Sequence, residues 1–203
     1  MNKWLVTASI VLALSASGIQ AAGNADAGKT KSVACMACHG PDGNSPVNPI
    51  WPKLAGQHPK YIEKQLKDFK SGARTDATMI GMVAPLNEQD MADLAAYFAS
   101  QAKKGGSAAA DQVEAGEKLY RAGNSTTGVA ACMACHGPAG SGNPQANFPA
   151  LAGQHAAYVE KALKDFRDGA RVNDANKMMQ GVVARMSDAE MTAVAQYIQG
   201  LDK

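Results

Sequence analysis

Aromatic residues are scarce in this chain, and neither sign of charge is in clear excess. Aromatic side chains make up 5% of the 203 residues, and the 20 basic side chains nearly balance the 18 acidic ones. A near-neutral chain of this kind is not expected to bind nucleic acid. A small domain with few aromatic residues has a marginal apolar core, so another buried apolar group is needed to complete it.

Long apolar runs are also lacking beyond the start of the chain. A bilayer-spanning helix needs about 20 apolar residues, and the run from Trp4 to Ala16 is shorter than that. It follows the positive Lys3 and precedes small residues near Ala21, a pattern that predicts a secretory signal peptide over residues 1–21. The remainder is expected to be an exported, soluble protein.

Only four cysteines are present, and all of them fall in two Cys-x-x-Cys-His motifs at residues 35–39 and 132–136. An even number of cysteines in an exported protein ordinarily predicts disulfides. This motif is instead typical of c-type haem attachment, in which both thiols bond to one haem and the histidine binds the iron. A thioredoxin-like redox pair would need a preceding strand and a βαβ setting, and neither is predicted. The predicted attachment residues are Cys35, Cys38, Cys132 and Cys135, and the predicted proximal ligands are His39 and His136.

The two motifs belong to a longer internal repeat. An offset of 97 extends from the motifs through residues 54–58 and 151–155 to residues 72–74 and 169–171. The chain therefore consists of two copies of one domain. Residues 102–110 are small or polar and lack helical periodicity, so they are predicted to form a flexible linker. The predicted domains are residues 22–101 and 111–203.

Helical periodicity dominates both copies, and no alternating strand pattern of useful length is present. In the first copy the apolar positions after Pro59, and those of the last segment, recur at helical spacing. The second copy repeats both patterns, and residues 187–190 form a capping box at the start of its last helix. The sequence therefore predicts two all-α domains.

The second axial ligand of each iron is expected among the ten methionines. A three-residue insertion after Arg171 changes the repeat offset to 100, at which Met79 matches Met179. Each lies about 40 residues after its histidine, in a glycine-containing stretch. Since His/Met ligation is the usual arrangement of cytochromes c, these two are the predicted ligands. Four others are set aside because they are unmatched or lie on the apolar stripe of the last helix: Met82, Met178, Met91 and Met191.

Other matched pairs leave alternatives open. His58 and His155 could give bis-His ligation with a lower potential, although a histidine at a helix start is more often exposed or hydrogen-bonded. Arg74 and Arg171 could pair with haem propionates through their planar guanidinium groups, or lie on a solvated surface. The pair predicted either to cover a haem edge or to pack in the core is Trp51 and Phe148.

These features together resemble the dihaem cytochrome c4 family. The likeness rests on the paired motifs, both Leu-Ala-Gly-Gln-His segments, the stretches around Met79 and Met179, and the ending at residues 196–201. It implies two tandem class I cytochrome c domains related by a pseudo-two-fold axis, with two covalently bound haem c groups. It also implies that His39 pairs with Met79, and His136 with Met179, as axial iron ligands.

The resemblance further implies a function. It predicts a periplasmic electron carrier, sometimes loosely attached to the inner membrane, that passes electrons from a quinol:cytochrome c reductase towards a haem-copper oxidase. It is expected to be a monomer and not an enzyme. The competing functions are a dihaem peroxidase, against which the two matching methionines argue, and a small-ligand sensor, which would bind carbon monoxide.

Overall fold

The computed structural model describes residues 22–201, so the signal peptide predicted over residues 1–21 lies outside the described residues. Within this range the only β-structure is two isolated bridges, and no helix in it has the length and hydropathy needed to cross a membrane. The all-α prediction is confirmed. The first half contains α1 (Ala25–Lys31), α2 (Val33–His39), α3 (Pro59–Ser71), α4 (Ala77–Val83) and α5 (Glu88–Ser100). The second half contains α6 (Ala110–Ala122), α7 (Met133–His136), α8 (Ala156–Arg167), a 3₁₀ turn (Ala175–Lys177), α9 (Met178–Val183) and α10 (Asp188–Gly200).

The first and last helices of each half cross at a glycine. Gly28 of α1 lies so close to α5 that a Cβ atom there would be 2.0 Å from the Asp93 carbonyl oxygen. Gly116 of α6 meets α10 in the same way, and its Cβ would be 2.2 Å from the Ala193 carbonyl oxygen. Because only glycine lacks the Cβ atom, these positions allow the two backbones to touch.

Each half has its own apolar core. The helical spacing of apolar residues places one face of α5 and one face of α10 inward, where they meet α3 and α8. The predicted capping box begins α10, since the Ser187 hydroxyl accepts the Glu190 N–H at 3.3 Å. A second box, formed by Asn87 and Asp90, begins α5. One buried apolar cluster of the first half consists of Ile62, Leu94, Ala95, Tyr97 and Phe98.

The segment between the halves has no regular structure up to Ala109, and α6 begins one residue inside the predicted linker. Its backbone is nevertheless bonded to both halves. The Lys104 N–H donates to Asn44 Oδ1 at 2.8 Å, and Gln199 Nε2 donates to the Ser107 carbonyl at 2.6 Å. These bonds restrict a segment whose composition alone predicts a flexible linker.

The two halves pair through a buried pair of glutamines. Gln57 Nε2 donates to the Ala150 carbonyl, and the Ala150 N–H donates to Gln57 Oε1, both at 2.9 Å. Gln154 makes the equivalent two bonds with the backbone of Lys53, at 2.9 and 2.8 Å. Gln57 and Gln154 are 97 residues apart, and so are Lys53 and Ala150. The interface therefore follows the pseudo-two-fold symmetry of the repeat.

Candidate haem-binding sites

Both Cys-x-x-Cys-His motifs lie on short helices that end at a glycine. The first occupies α2, and the second occupies α7 together with the preceding Cys132. Residues three apart share one helix face, so the two thiols of each motif face the same side. Gly40 and Gly137 follow the histidines with φ of 77° and 76°, which ends each helix. None of the four cysteines forms a disulfide.

The two motif histidines are buried and held by a backbone carbonyl. His39 Nδ1 lies 2.9 Å from the Pro52 oxygen, and His136 Nδ1 lies 2.9 Å from the Pro149 oxygen. A carbonyl only accepts, so Nδ1 carries the proton and donates it, which leaves Nε2 available to a metal. Burial lowers the pKa of both imidazoles, and the bond to the carbonyl opposes this in part. A lowered pKa favours the neutral imidazole, the form in which a histidine can bind a metal.

The first cysteine of each motif is not activated in the manner of a redox cysteine. Burial raises the pKa of the Cys35 thiol, with a further contribution from Cys38. Burial likewise raises the pKa of Cys132 to about 11. A reactive thioredoxin-like cysteine has a lowered pKa. Cys35 and Cys132 thus lack the lowered pKa that a thioredoxin-like redox cysteine requires.

The two candidate methionines lie on matching helices. The Met79 N–H donates to the N-cap carboxylate of Asp76 at 2.9 Å, and the Met79 side chain is half-buried on α4. Met179 is half-buried on α9 and packs against the same core as Cys132. Four residues later in each domain stands a fully buried valine, which agrees with the offset of 100 between the two stretches. These valines are Val83 and Val183.

His58 and His155 bond across the domain interface. His58 Nε2 lies 2.8 Å from the Ser141 carbonyl oxygen, and His155 Nε2 lies 2.9 Å from that of Ser45. Each histidine directly precedes a helix, α3 or α8. This is the hydrogen-bonded role that the sequence left as the alternative to iron ligation.

Arg74 and Arg171 also bond to the opposite domain. Arg74 Nη2 donates to the Tyr158 hydroxyl at 3.2 Å, and Arg171 Nη2 donates to the Tyr61 hydroxyl at 3.0 Å. The solvated-surface alternative is wrong for Arg171, which is only 6% exposed. Burial raises the pKa of Tyr158, but the two arginines outweigh this and lower it to about 8.

Each of these arginines also stacks on an aromatic ring of its own domain. The guanidinium carbon of Arg74 lies 4.6 Å from the Phe69 ring centroid, and that of Arg171 lies 4.4 Å from Phe166. Tyr61 and Tyr158 lie near the start of α3 and α8, on the apolar stripe that helical periodicity predicts, and this stripe gives no sign of a polar role for them. The two tyrosines recur at an offset of 97, as the two arginines do. This shared offset is the sequence signal that could have identified the cluster of two tyrosines and two arginines.

One of the two expected haem-edge residues lies beside a motif histidine. The ring centroid of Phe148 is 6.1 Å from that of His136. The matching Trp51 is half-buried. Phe148 is therefore placed to cover one side of the predicted haem site in the second domain.

Comparison with known proteins decides the family. The model described as "Cytochrome c" matches residues 25–102 and 113–202. The chain is 50% identical over 203 residues to cytochrome c4 of Pseudomonas aeruginosa, covering 99% of this chain and 100% of that protein. The chain belongs to the cytochrome c4 family.

Further comparisons extend this result to the structure. A crystal structure of reduced recombinant cytochrome c4 from Pseudomonas stutzeri matches with a TM-score of 0.86 and 48% identity, covering 89% of this chain and 100% of that chain. A protein named thiosulfate dehydrogenase electron acceptor, from Thiomonas intermedia, is 39% identical over 175 residues, which cover 83% of this chain and 78% of that protein.

Cytochrome c4 membership fixes the cofactor and the broad function. The protein has two tandem cytochrome c domains, carries two haem c groups, one per domain, and transfers electrons. The side chains of each domain fit that cofactor. Each offers two thiols on one helix face, an imidazole with Nε2 available, and a thioether on a separate helix, and these are the groups that bind haem c.

Proposed function

We propose that this cytochrome c4 is a periplasmic electron carrier with two equivalent His/Met haem sites. The observation that carries the proposal is the duplicated histidine geometry, in which His39 and His136 are each held through Nδ1 at 2.9 Å with Nε2 available. The proposed attachment residues are Cys35, Cys38, Cys132 and Cys135. The proposed axial pairs are His39 with Met79 and His136 with Met179.

The protein side chains have separate roles in this proposal. The bound haem supplies the one-electron Fe(III)/Fe(II) couple. The carbonyls of Pro52 and Pro149 orient the imidazoles, so that little rearrangement accompanies a change of charge. A thioether ligand favours the reduced state and gives a higher potential than a second histidine would. His39 with Met79, and His136 with Met179, would hold the haem iron of each domain from two sides, and neither site would then offer iron a position for a substrate.

A pair of methionine variants tests the axial ligands. Met79→Ala and Met179→Ala should each remove, at one haem only, the weak red absorption band of ferric His/Met haem and should lower that haem's potential. Met82→Ala and Met178→Ala are matched controls, since these side chains are 39% and 41% exposed on the same two helices. An unchanged spectrum in Met179→Ala would remove the basis for symmetric ligation.

We further propose that electrons arrive from a quinol:cytochrome c reductase and leave to a haem-copper oxidase. The support is the family membership together with the predicted signal peptide, which would deliver the chain to the periplasm. We propose that it acts there as a monomer of two domains, residues 22–101 and 111–203. Rapid-mixing reduction by the purified reductase, followed by oxidation by the oxidase, tests this direction. No reduction by the reductase at catalytic rates would contradict it.

The similarity to the protein from Thiomonas intermedia suggests a second candidate electron donor. Its name describes an electron acceptor of thiosulfate dehydrogenase, so a thiosulfate-oxidising enzyme is a specific alternative source of electrons for this chain. The same rapid-mixing experiment with thiosulfate dehydrogenase and thiosulfate distinguishes the two donors. The physiological donor should reduce the protein much faster at equal concentration.

A further inference from the structure

One peptide group in the first domain is hydrogen-bonded on both sides. The carbonyl of the Pro52–Lys53 peptide accepts the Nδ1–H of His39 at 2.9 Å. The N–H of the same peptide donates to Gln154 Oε1, which belongs to the second domain, at 2.8 Å. A continuous chain of two hydrogen bonds and one peptide therefore joins the motif histidine to the opposite domain.

The second domain has the same arrangement with the roles exchanged. The carbonyl of the Pro149–Ala150 peptide accepts the Nδ1–H of His136 at 2.9 Å, and its N–H donates to Gln57 Oε1 at 2.9 Å. The two connections cross the interface in opposite directions. Each histidine is thus linked to a glutamine of the other domain, not of its own.

Both glutamine side chains are fixed in one orientation. Gln154 Nε2 donates to the Lys53 carbonyl at 2.9 Å, and Gln154 Oε1 also accepts the His155 N–H at 3.0 Å. The side chain is 5% exposed, and Gln57 is 7% exposed. Because Gln154 Oε1 meets two N–H groups and Nε2 meets a carbonyl, the amide cannot be rotated by half a turn without losing all three bonds.

Hydrogen bonds at the two ends of one peptide strengthen each other. An acceptor on the N–H shifts negative charge onto the carbonyl oxygen, which then accepts more strongly from the histidine. A stronger acceptor at Nδ1 makes the imidazole a stronger electron donor through Nε2. A more basic imidazole favours the more highly charged ferric iron and so lowers the potential.

We propose that Gln154 and Gln57 are positioning residues that tune the proximal ligand of the opposite domain, His39 and His136 respectively. The inference rests on the proposed roles of these histidines as iron ligands. It makes each haem's potential depend on the docking of the domains, since separation would remove both glutamine acceptors at once.

The test uses the holoprotein and a substitution that keeps the length of the side chain. Gln154→Met removes the acceptor on the Lys53 N–H, so the first-domain haem should become easier to reduce. At an applied potential equal to its original midpoint, its ratio of reduced to oxidised form should rise about two- to fourfold. Gln57→Met should do the same to the second-domain haem only, and each variant should leave the haem of its own domain unchanged.

Two further sets of variants separate tuning from simple loosening of the interface. Tyr61→Phe and Tyr158→Phe each remove a cross-domain bond to an arginine without touching either peptide, so they should move neither potential by this route. Gln154→Glu keeps an acceptor for the Lys53 N–H and should not raise the first-domain potential. If the tyrosine variants shift the potentials as much as Gln154→Met does, the inference is overturned.

A nuclear magnetic resonance measurement on the reduced, diamagnetic protein reads the hydrogen bond itself. In Gln154→Met the Nδ1–H resonance of His39 should move upfield and exchange faster with solvent, while that of His136 stays in place. Phe148, beside the His136 ring, assigns the second-domain signals. Equal movement of both resonances, or of neither, contradicts the inference. Absence of covalent haem, or iron not bound to these histidines, would instead contradict the proposed function.

Discussion

The guanidinium group of Arg171 connects side chains of both domains. It lies over the Phe166 ring, bonds to Asn173 on its own domain through Nε, and donates through Nη2 to Tyr61 and Gln65 of the first domain. The fork geometry of arginine is needed to reach these acceptors from one position, and an ammonium group does not reproduce it.

Arg171→Lys should therefore destabilise the protein by about 2–3 kcal/mol through lost hydrogen bonds and lost stacking. Denaturant unfolding followed by circular dichroism measures this loss. Arg121→Lys is the control, because Arg121 pairs with the neighbouring Glu117 on α6 while 44% of its side chain stays exposed. Equal stability of both variants would show that the buried cluster contributes little.

Single residues also show how far the sequence can predict a site. The motifs predict the thiols and histidines because haem attachment needs those residue types at that spacing, and the repeat predicts Met79 and Met179 among the ten methionines. The carbonyls of Pro52 and Pro149 could not be predicted, since every residue has a carbonyl and only the fold determines which one meets a histidine. The arginine–tyrosine bonds depend on domain docking, which helical periodicity does not encode.

The crossing of the first and last helices depends on one glycine in each domain. Gly28→Ala and Gly116→Ala should push α1 from α5, and α6 from α10, because the new Cβ atoms would overlap backbone carbonyls at 2.0 and 2.2 Å. The expected loss is about 2–4 kcal/mol in the affected domain, within the range for overpacking and backbone displacement.

Gly105→Ala is the control for both glycine variants. A Cβ atom there has nothing within 4 Å, and the residue does not have a positive φ. Differential scanning calorimetry of the three variants, compared with the parent protein, gives the change for each domain. If Gly28→Ala and Gly105→Ala melt at the same temperature, the helix crossing has more freedom than the structure indicates.

A carboxylate connects the chain before α1 to α5 and makes this contact sensitive to acid. The Asn24 N–H and Gln89 Nε2 donate to Asp93 Oδ1 at 2.9 and 2.8 Å, and these bonds lower the pKa of Asp93 below its usual value of 3.8. A carboxyl with a lowered pKa in the folded state stabilises the protein above the unfolded pKa, and the stabilisation is lost as pH falls through the folded pKa.

Asp93→Asn should consequently reduce the stability of the first domain at neutral pH and make its stability less dependent on pH in the acid range. Unfolding curves measured from neutral to strongly acidic pH test this, with the exposed Asp111→Asn as control. A variant that keeps the full acid dependence of the parent would show that other carboxyls cause it.

The sequence predicts the main helices but not the contacts that they and the insertion make across the interface. Apolar spacing located α3, α5, α8 and α10, and the alignment of the two copies located the insertion after Arg171. The alignment could not show that Asn173, inside the insertion, donates to Gln65 across the interface at 3.0 Å. An insertion has no partner in the repeat from which its contacts could be inferred.

The two domains together form a pseudo-symmetric molecule whose interface is polar and buried. Matching residues of the two copies make matching bonds, in which Gln57 and Gln154 pair with backbone and Arg74 and Arg171 pair with tyrosine. The internal repeat predicted two copies of one domain, and the cytochrome c4 structure matches both together with a TM-score of 0.86. The symmetric bonds explain why two small domains with few aromatic residues associate in one arrangement.

The central claim is that both irons have His/Met ligation and serve only to carry electrons. A potentiometric titration of the purified holoprotein, followed by visible absorption and by adding carbon monoxide to the reduced form, tests it most directly. We predict two one-electron steps at positive potentials, the red ferric band at both haems, and no rapid carbon monoxide binding at neutral pH. A haem with a strongly negative potential, or one that binds carbon monoxide rapidly, would contradict the claim.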